Sequence, residues 1–221
     1  MGEWKLFSPQ GRLYQTLNRM TDLMIWNFFW ILCSLPIITV GASTCALHMA
    51  NLKQMKKEDD GCLEYFKYFK YFKDDLVFGI LYEMILIFFV TICIVIFGLL
   101  RKTEGLGAIR IFLYVSILLV LMISSYILPV RAFFSGTVLQ IFKISLYLTI
   151  RMPIYFLLKF INLALPILLL RTFLKLNVTG LMPILLFWGF SGSNWLNTKI
   201  FLMIVKKQKF VQTLYEKRER N

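Results

Sequence analysis

Four stretches of this chain are too long and too apolar to be housed inside a water-soluble domain. Residues 76–100 carry a single charge, Glu83, and residues 111–130 carry none. Residues 152–170 carry only Lys159, and residues 181–198 carry none, with the apolar character running past Lys199 to Val205. A helix of about 20 predominantly apolar residues crosses the hydrocarbon core of a bilayer, and each block approaches or exceeds that length. A fifth block, Leu23 to Val40, is also uncharged and is rich in Trp and Phe. It follows an amphipathic leader, residues 1–22. A cleaved signal has a short basic leader, an apolar run of about 7–15 residues and a small-x-small site. The block is therefore expected to be retained. These features predict an all-α fold: a polytopic transmembrane helix bundle of five to six membrane segments with interfacial amphipathic helices, forming one integral membrane domain over residues 1–221.

The net charge of +13 would suit nucleic acid, but its distribution argues for membrane lipid instead. The basic residues flank the apolar blocks, as membrane topology requires, so no nucleic-acid partner is expected. Five crossings leave 16 basic residues on the cytoplasmic side against 8 outside, whereas six crossings give 19 against 5. The positive-inside bias thus favours six segments, with both termini cytoplasmic. The sixth is Ala42 to Met55, which is short and contains Ser43, Thr44, His48 and Asn51. It can cross only if other helices shield it from lipid. Pro36 and Gly41 supply the break for a tight reversal, and Ser43 or Thr44 can cap the returning helix.

The connection at 58–75 is expected to be a cytoplasmic interfacial helix. Glu58-Asp59-Asp60-Gly61 reads as a solvated turn, and Tyr-Phe-Lys then occurs three times from Tyr65 to Lys73. A period of three drifts about 60° per step at helical pitch, so the rings spread over a broad face. Lys stems can lie along that face with their heads in water. The six acidic residues of 58–75 offset the six lysines of 53–75, which favours protein contact, through Phe66, Phe69 and Phe72, over polybasic anchoring. Phe133 to Arg151 is a weaker echo of the same amphipathic pattern. The segment 206–221 forms a basic cytoplasmic tail.

Catalytic patterns are sparse. There is no Gly-x-x-x-x-Gly-Lys loop and no Gly-x-Ser-x-Gly elbow. A single histidine and four cysteines, Cys33, Cys45, Cys62 and Cys93, without C-x-x-C spacing make a metal site or a disulfide unexpected. Asp59-Asp60 and Asp74-Asp75 read as solvated helix ends rather than as Mg²⁺ ligands. Gly189 and Gly192 read as a helix break or a close-packing site. No enzyme activity and no cofactor are expected. The intramembrane polar residues stand out instead. Glu83 and Lys159 each lie seven residues into a block, about 10 Å deep at 1.5 Å per residue, and are expected to meet across adjacent helices. His48 and Asn51 share one helical face, and Asn27, Trp30 and Ser34 share another.

The stretch Asp22-Leu-Met-Ile-Trp-Asn27-Phe-Phe-Trp30, followed by Cys33-Ser-Leu-Pro36-Ile-Ile-Thr39-Val-Gly41-Ala-Ser43-Thr44-x-Ala46-Leu47, closely resembles the YesL-like (DUF624-type) family of bacterial membrane proteins. Phe69-Lys-Tyr-Phe72-Lys73-Asp-Asp75 fits the family's F-x-x-F-K helix, with Asp75 where Asn is usual and Leu76 where Phe is usual. Gly189-Phe190-Ser191 is a looser likeness. The resemblance implies no catalytic activity. It implies a Gram-positive context beside carbohydrate-uptake ABC importers and polysaccharide-degrading enzymes. The expected role is a non-catalytic accessory or scaffold subunit in the bacterial cell membrane, docked against ABC-importer permease subunits. The alternative is a small transporter or channel using Glu83, Lys159 and the His48 region.

Overall fold

A computed structural model describes residues 12–55, 63–100, 107–134, 136–175 and 182–207. The first half of the leader, the acidic turn at Glu58 with Cys62, and nearly all of the basic tail lie outside the described residues. Those described form eight helices: α1 Arg12–Cys33, α2 Val40–Met55, α3 Leu63–Asp74, α4 Leu76–Leu100, α5 Gly107–Phe133, α6 Val138–Arg151, α7 Ile154–Lys175 and α8 Met182–Lys207. A short 3₁₀ turn, Ile37–Thr39, precedes α2.

The leader and the first apolar block are not separate elements. Helix α1 starts in the leader and runs through the block to Cys33, because no Gly or Pro interrupts residues 12–33. The block itself is broken at Pro36, whose ring fixes φ and removes a backbone donor. Thr39 Oγ1 then donates to the carbonyls of Cys33 and Pro36, both at 2.7 Å. The expected caps act otherwise. Thr44 Oγ1 bonds back to the Val40 carbonyl at 2.7 Å, and Ser43 Oγ donates to the carbonyl of Trp30 at 3.1 Å. Both hydroxyls thus hold α2 to its own first turn and to α1.

Helix α2 is the hub. It packs against α1, α3, α4, α5 and α8, and ten of its 16 residues are buried on all sides of the helix. Small side chains make that possible: Gly41, Ala42, Ser43, Ala46 and Ala50 let neighbouring backbones approach closely. At the crossing with α4, a Cβ added to Gly79 would lie 2.3 Å from the Ala42 nitrogen, and one added to Gly41 would lie 2.8 Å from the Gly79 carbonyl oxygen. Gly41 is therefore a contact point inside α2, not the break. Two apolar cores flank the hub. One joins Leu23 and Trp26 of α1, Leu47 of α2 and Tyr68 of α3. The other joins Tyr126, Val130 and Phe133 of α5, Ile141 and Leu148 of α6, Tyr155 of α7, and Phe201 and Val205 of α8.

Helices α4 and α5 are long and apolar enough to cross a membrane. Most of their surface is bare: Ile85, Phe88, Leu99, Ile111 and Phe112 are all exposed, as expected of side chains that face lipid. Helix α6 is the amphipathic echo foreseen after Phe133. It opens with a capping box between Thr137 and Gln140 and buries Ile141, Ser145, Leu148 and Thr149 on one face. It then turns by 95° at Met152-Pro153 into α7, and Val138–Arg151 together with Ile154–Asn162 has the length and apolarity of a broken span or a re-entrant loop. Tyr126 of α5 donates to the Met152 carbonyl and pins the bend.

Candidate functional site

Four of the residues singled out, His48, Asn51, Asn27 and Trp30, converge on one seam, where α8 meets α1, α2 and α7. Along α8, Ser191, Asn194 and Thr198 recur at intervals of three and four, so they line one face. His48 Nδ1 lies 2.7 Å from Thr198 Oγ1, and Asn51 Nδ2 donates to Asn194 Oδ1 at 2.9 Å. Thr198 Oγ1 also reaches the Asn194 carbonyl at 2.8 Å. His48 Nε2, Asn51 Oδ1 and Ser191 Oγ are buried with no hydrogen-bond partner among the described residues.

One turn around α8, Ser193 and Asn197 meet α7. Asn162 Nδ2 donates to the Ser193 carbonyl at 2.9 Å and to Asn197 Oδ1 at 3.1 Å, while Ser193 Oγ donates to the Asn162 carbonyl at 3.1 Å. Toward α1, Asn27 Oδ1 accepts the backbone N–H of Ser191 at 3.1 Å, and Trp30 stacks on Phe190 with ring centroids 4.9 Å apart. Gly189 and Gly192 fall inside a continuous α8, so no helix break occurs there. Sequence reasoning found His48, Asn51 and Asn27 but missed their partners Asn194, Asn197, Thr198 and Asn162. Their signal was present as four amide or hydroxyl side chains within otherwise apolar helices.

Glu83 and Lys159 do not meet. The Lys159 ammonium donates to the Ser125 carbonyl of α5 at 2.8 Å, and His48 and Cys45 are its electrostatic neighbours. Glu83 forms no ion pair among the described residues and sits against the first turn of α2, where a Cβ on Gly41 would lie 3.2 Å from Glu83 Oε2. The positive end of the α2 dipole is thus its nearest favourable field. Their equal spacing along the two blocks suggested a meeting, but α4 packs on α2 and α5 whereas α7 packs on α8 and α5, so the two charges have different neighbours. Arg131 serves Asp75. Its Nε lies 2.7 Å from Asp75 Oδ1, and its guanidinium carbon lies 4.9 Å from the centre of the Phe78 ring. This pair closes the junction between α3 and α4, so Asp75 is not a solvated helix end.

The Tyr-Phe-Lys repeat is sorted by side. Its tyrosines turn inward. Tyr65 donates to Asp22, and Tyr68 Oη lies 2.9 Å from Ser43 Oγ and 3.0 Å from the Ser43 carbonyl. Burial pushes the Tyr68 phenol pKa up, which keeps it neutral. Phe66, Phe69 and Phe72 do not form one exposed face. Phe66 is 74% exposed, Phe69 packs beside Phe29 with centroids 5.0 Å apart, and Phe72 packs against the α1–α2–α3 core. The 60° drift of a three-residue period carries each successive Phe round toward the bundle.

Cys33, Cys45 and Cys93 are free thiols, and no group of three His, Cys, Asp or Glu able to hold a metal occurs among the described residues. No curated protein and no solved structure matches the chain. Residues 23–99 match the model of the family described as "Protein of unknown function, DUF624". The matched segment contains the Asn27–Trp30 stretch, the Pro36 reversal, Gly41 with Ser43 and Thr44, and the α3–α4 junction, each now tied to a contact. The likeness to this family thus spans residues 23–99 and takes in the motif residues of α1, α2 and the α3–α4 junction.

Proposed function

We propose that the chain is a non-catalytic accessory subunit of the bacterial cell membrane, docked against the permease subunits of a carbohydrate ABC importer. The observation that carries this reading is the exposed side of α3. Three tyrosines anchor the helix to the body, while Phe66 projects outward at 74% exposure beside the exposed Lys70 and Lys73. A large apolar ring on an ordered, tethered helix is the kind of anchor that partner pockets take up. The interior fits the same reading, because its polar groups bond helix to helix across the α8 seam. The importer itself comes from the YesL-like context.

The topology that accompanies this reading has six membrane segments, with both termini and residues 53–75 cytoplasmic. It is supported by the 19-to-5 partition of basic residues and by the burial of α2 among five neighbours, which keeps His48 and Asn51 away from lipid. Five segments is the alternative count. Purification in mild detergent followed by mass spectrometry tests the docking. A stoichiometric pair of permease subunits is expected, and Phe66→Ser should reduce its recovery without changing membrane insertion. Recovery of the chain alone overturns the reading. A small transporter or channel is the second reading, favoured by one observation: the partly buried Glu83 within the α4 span, with no ion pair among the described residues. Solute uptake by liposomes holding only this chain would support it.

A further inference from the structure

Helix α6 leaves most of its circumference uncovered, and the uncovered side is divided. Val138, Phe142, Leu146, Leu139 and Ile150 are exposed and share one arc of about 120° at helical pitch. Lys143, Tyr147, Gln140 and Arg151 are exposed too, and they fill the next arc of about 80°. Ile144, Leu148, Ile141 and Ser145 occupy the remainder and face the bundle, with buried Thr149 at the edge of the apolar arc. A helix surrounded by water has no use for the exposed apolar arc, and one surrounded by hydrocarbon has none for the polar arc. A membrane surface takes both, side by side.

The neighbours of α6 fix what each arc meets. Val138 and Phe142 line one groove together with Leu81 and Ile85 of α4, which are exposed residues of a helix long and apolar enough to cross a membrane. The apolar arc therefore continues the lipid-facing surface of α4. Both ends of α6 also stay near one end of α5. Arg131 Nη1 donates to the Gly136 carbonyl at 3.3 Å, which holds the start of α6 beside the last turn of α5. Tyr126 holds the Met152 carbonyl just past the other end, and it lies only about 10 Å along α5 from Phe133. The 14 residues of α6 are about 21 Å long, so the helix runs more across α5 than along it. Its 95° turn from α7 agrees. Lys143 and Arg151 are its only charged residues, and their sign suits a layer of lipid phosphates.

We propose that α6 lies in the membrane surface, with its apolar arc in hydrocarbon beside α4 and its polar arc among phospholipid headgroups. The bent α6–α7 pair is then a surface helix followed by a crossing helix, not one span in two halves.

The full chain in nanodiscs of phosphatidylcholine and phosphatidylglycerol tests this. A nitroxide side chain is placed at one exposed α6 position at a time through an unnatural amino acid. Oxygen, which dissolves in hydrocarbon, and a water-soluble nickel chelate then compete to relax the label. Labels at Phe142, Leu146 and Ile150 should favour oxygen and those at Lys143 and Tyr147 the chelate, so the ratio should reverse within one turn. The apolar-arc labels should also lie shallower than one at exposed Phe88, in the middle of α4. Chelate access at every position overturns the proposal, because α6 is then in water. A depth that grows steadily from Val138 to Ile150 and reaches that of Phe88 overturns it in favour of a broken span. Protection of the whole apolar arc from both reagents overturns it in favour of a protein cover. Folding of each labelled chain is checked by size exclusion, and Leu139 and Gln140 replace any position of their own arc that fails.

Discussion

Adding one methyl group at Gly79 should damage this protein more than the same change at Gly41 or Gly98. The new Cβ would lie 2.3 Å from the Ala42 nitrogen, 2.5 Å from its Cα and 2.6 Å from its Cβ. Two of the three obstacles are backbone, so no rotamer change relieves the clash and α2 must part from α4. Overpacking of a close-packed site costs typically about 1–3 kcal/mol, and the rigid obstacle here places Gly79→Ala at the upper end, about 3 kcal/mol. Gly41→Ala meets the Gly79 carbonyl oxygen at 2.8 Å but otherwise the side chains of Glu83 and Tyr82 at 3.2 and 3.3 Å, and should cost about half as much. Gly98 has nothing within 4 Å of the added carbon, so Gly98→Ala gains only helix propensity, up to about 1 kcal/mol. For a chain of this size each kcal/mol moves the unfolding midpoint by about 2–4 °C. Thermal unfolding in detergent at one fixed scan rate, followed by fluorescence-detected size exclusion, should therefore lower the Gly79→Ala midpoint by about 6–12 °C and leave Gly98→Ala at or above the parent. A Gly79→Ala protein that melts with the parent, or a Gly98→Ala protein that falls as far, would refute the close-approach argument.

Asp75→Ala strips Arg131 of its partner in a pair whose side chains are 23% and 9% exposed. Full burial would make the loss about 3–5 kcal/mol, and the partial exposure of Arg131 lowers the expectation to about 2–3 kcal/mol. Asp75→Asn keeps an acceptor for the guanidinium and should lose less, so equal melting of the two variants would count against the pair. Glu83→Gln and Lys159→Met should be additive within about 0.5 kcal/mol, and exchanging the two charges should rescue nothing; a large coupling energy would show that they interact. Single-cysteine labelling in whole cells should find positions near Gln10 inaccessible from outside, and external labelling there would remove the six-segment topology.

What the sequence made legible was whatever depends on distance along one helix. The spans Leu76–Leu100 and Gly107–Phe133 follow from length and apolarity, and the α6 helix from its amphipathic pattern. The shielding of the segment holding His48 and Asn51 follows from its polar content. What depends on rotation about an axis was not legible. Which helices lie side by side was not legible either: equal spacing along the blocks suggested that Glu83 meets Lys159, yet α4 packs on α2 and α7 on α5 and α8, so one reaches Gly41 and the other Ser125. The three-residue repeat announced a broad aromatic face without saying that its tyrosines would face Asp22 and Ser43. The role of Gly41 needed Gly79, and nothing within either helix states that the two will cross. Asn27 and Trp30 likewise meet Ser191 and Phe190 only because α1 and α8 lie side by side.

The hub helix imposes an order on biogenesis. His48 is separated from Thr198 by 150 residues and Asn51 from Asn194 by 143. At a synthesis rate of about 5–20 residues per second, the partners of α2 emerge roughly 8–30 s after α2 itself. Throughout that interval a short helix carrying a histidine and an asparagine has no α8 to bond to, and lipid cannot take the place of those donors and acceptors. In the proposed six-segment topology, the nascent chain must therefore keep α2 at the interface or in the hands of an insertion factor, and seat it only when the last helix arrives. Chains that stop before α8 should remain substrates for membrane quality control, however completely their two most apolar spans have inserted.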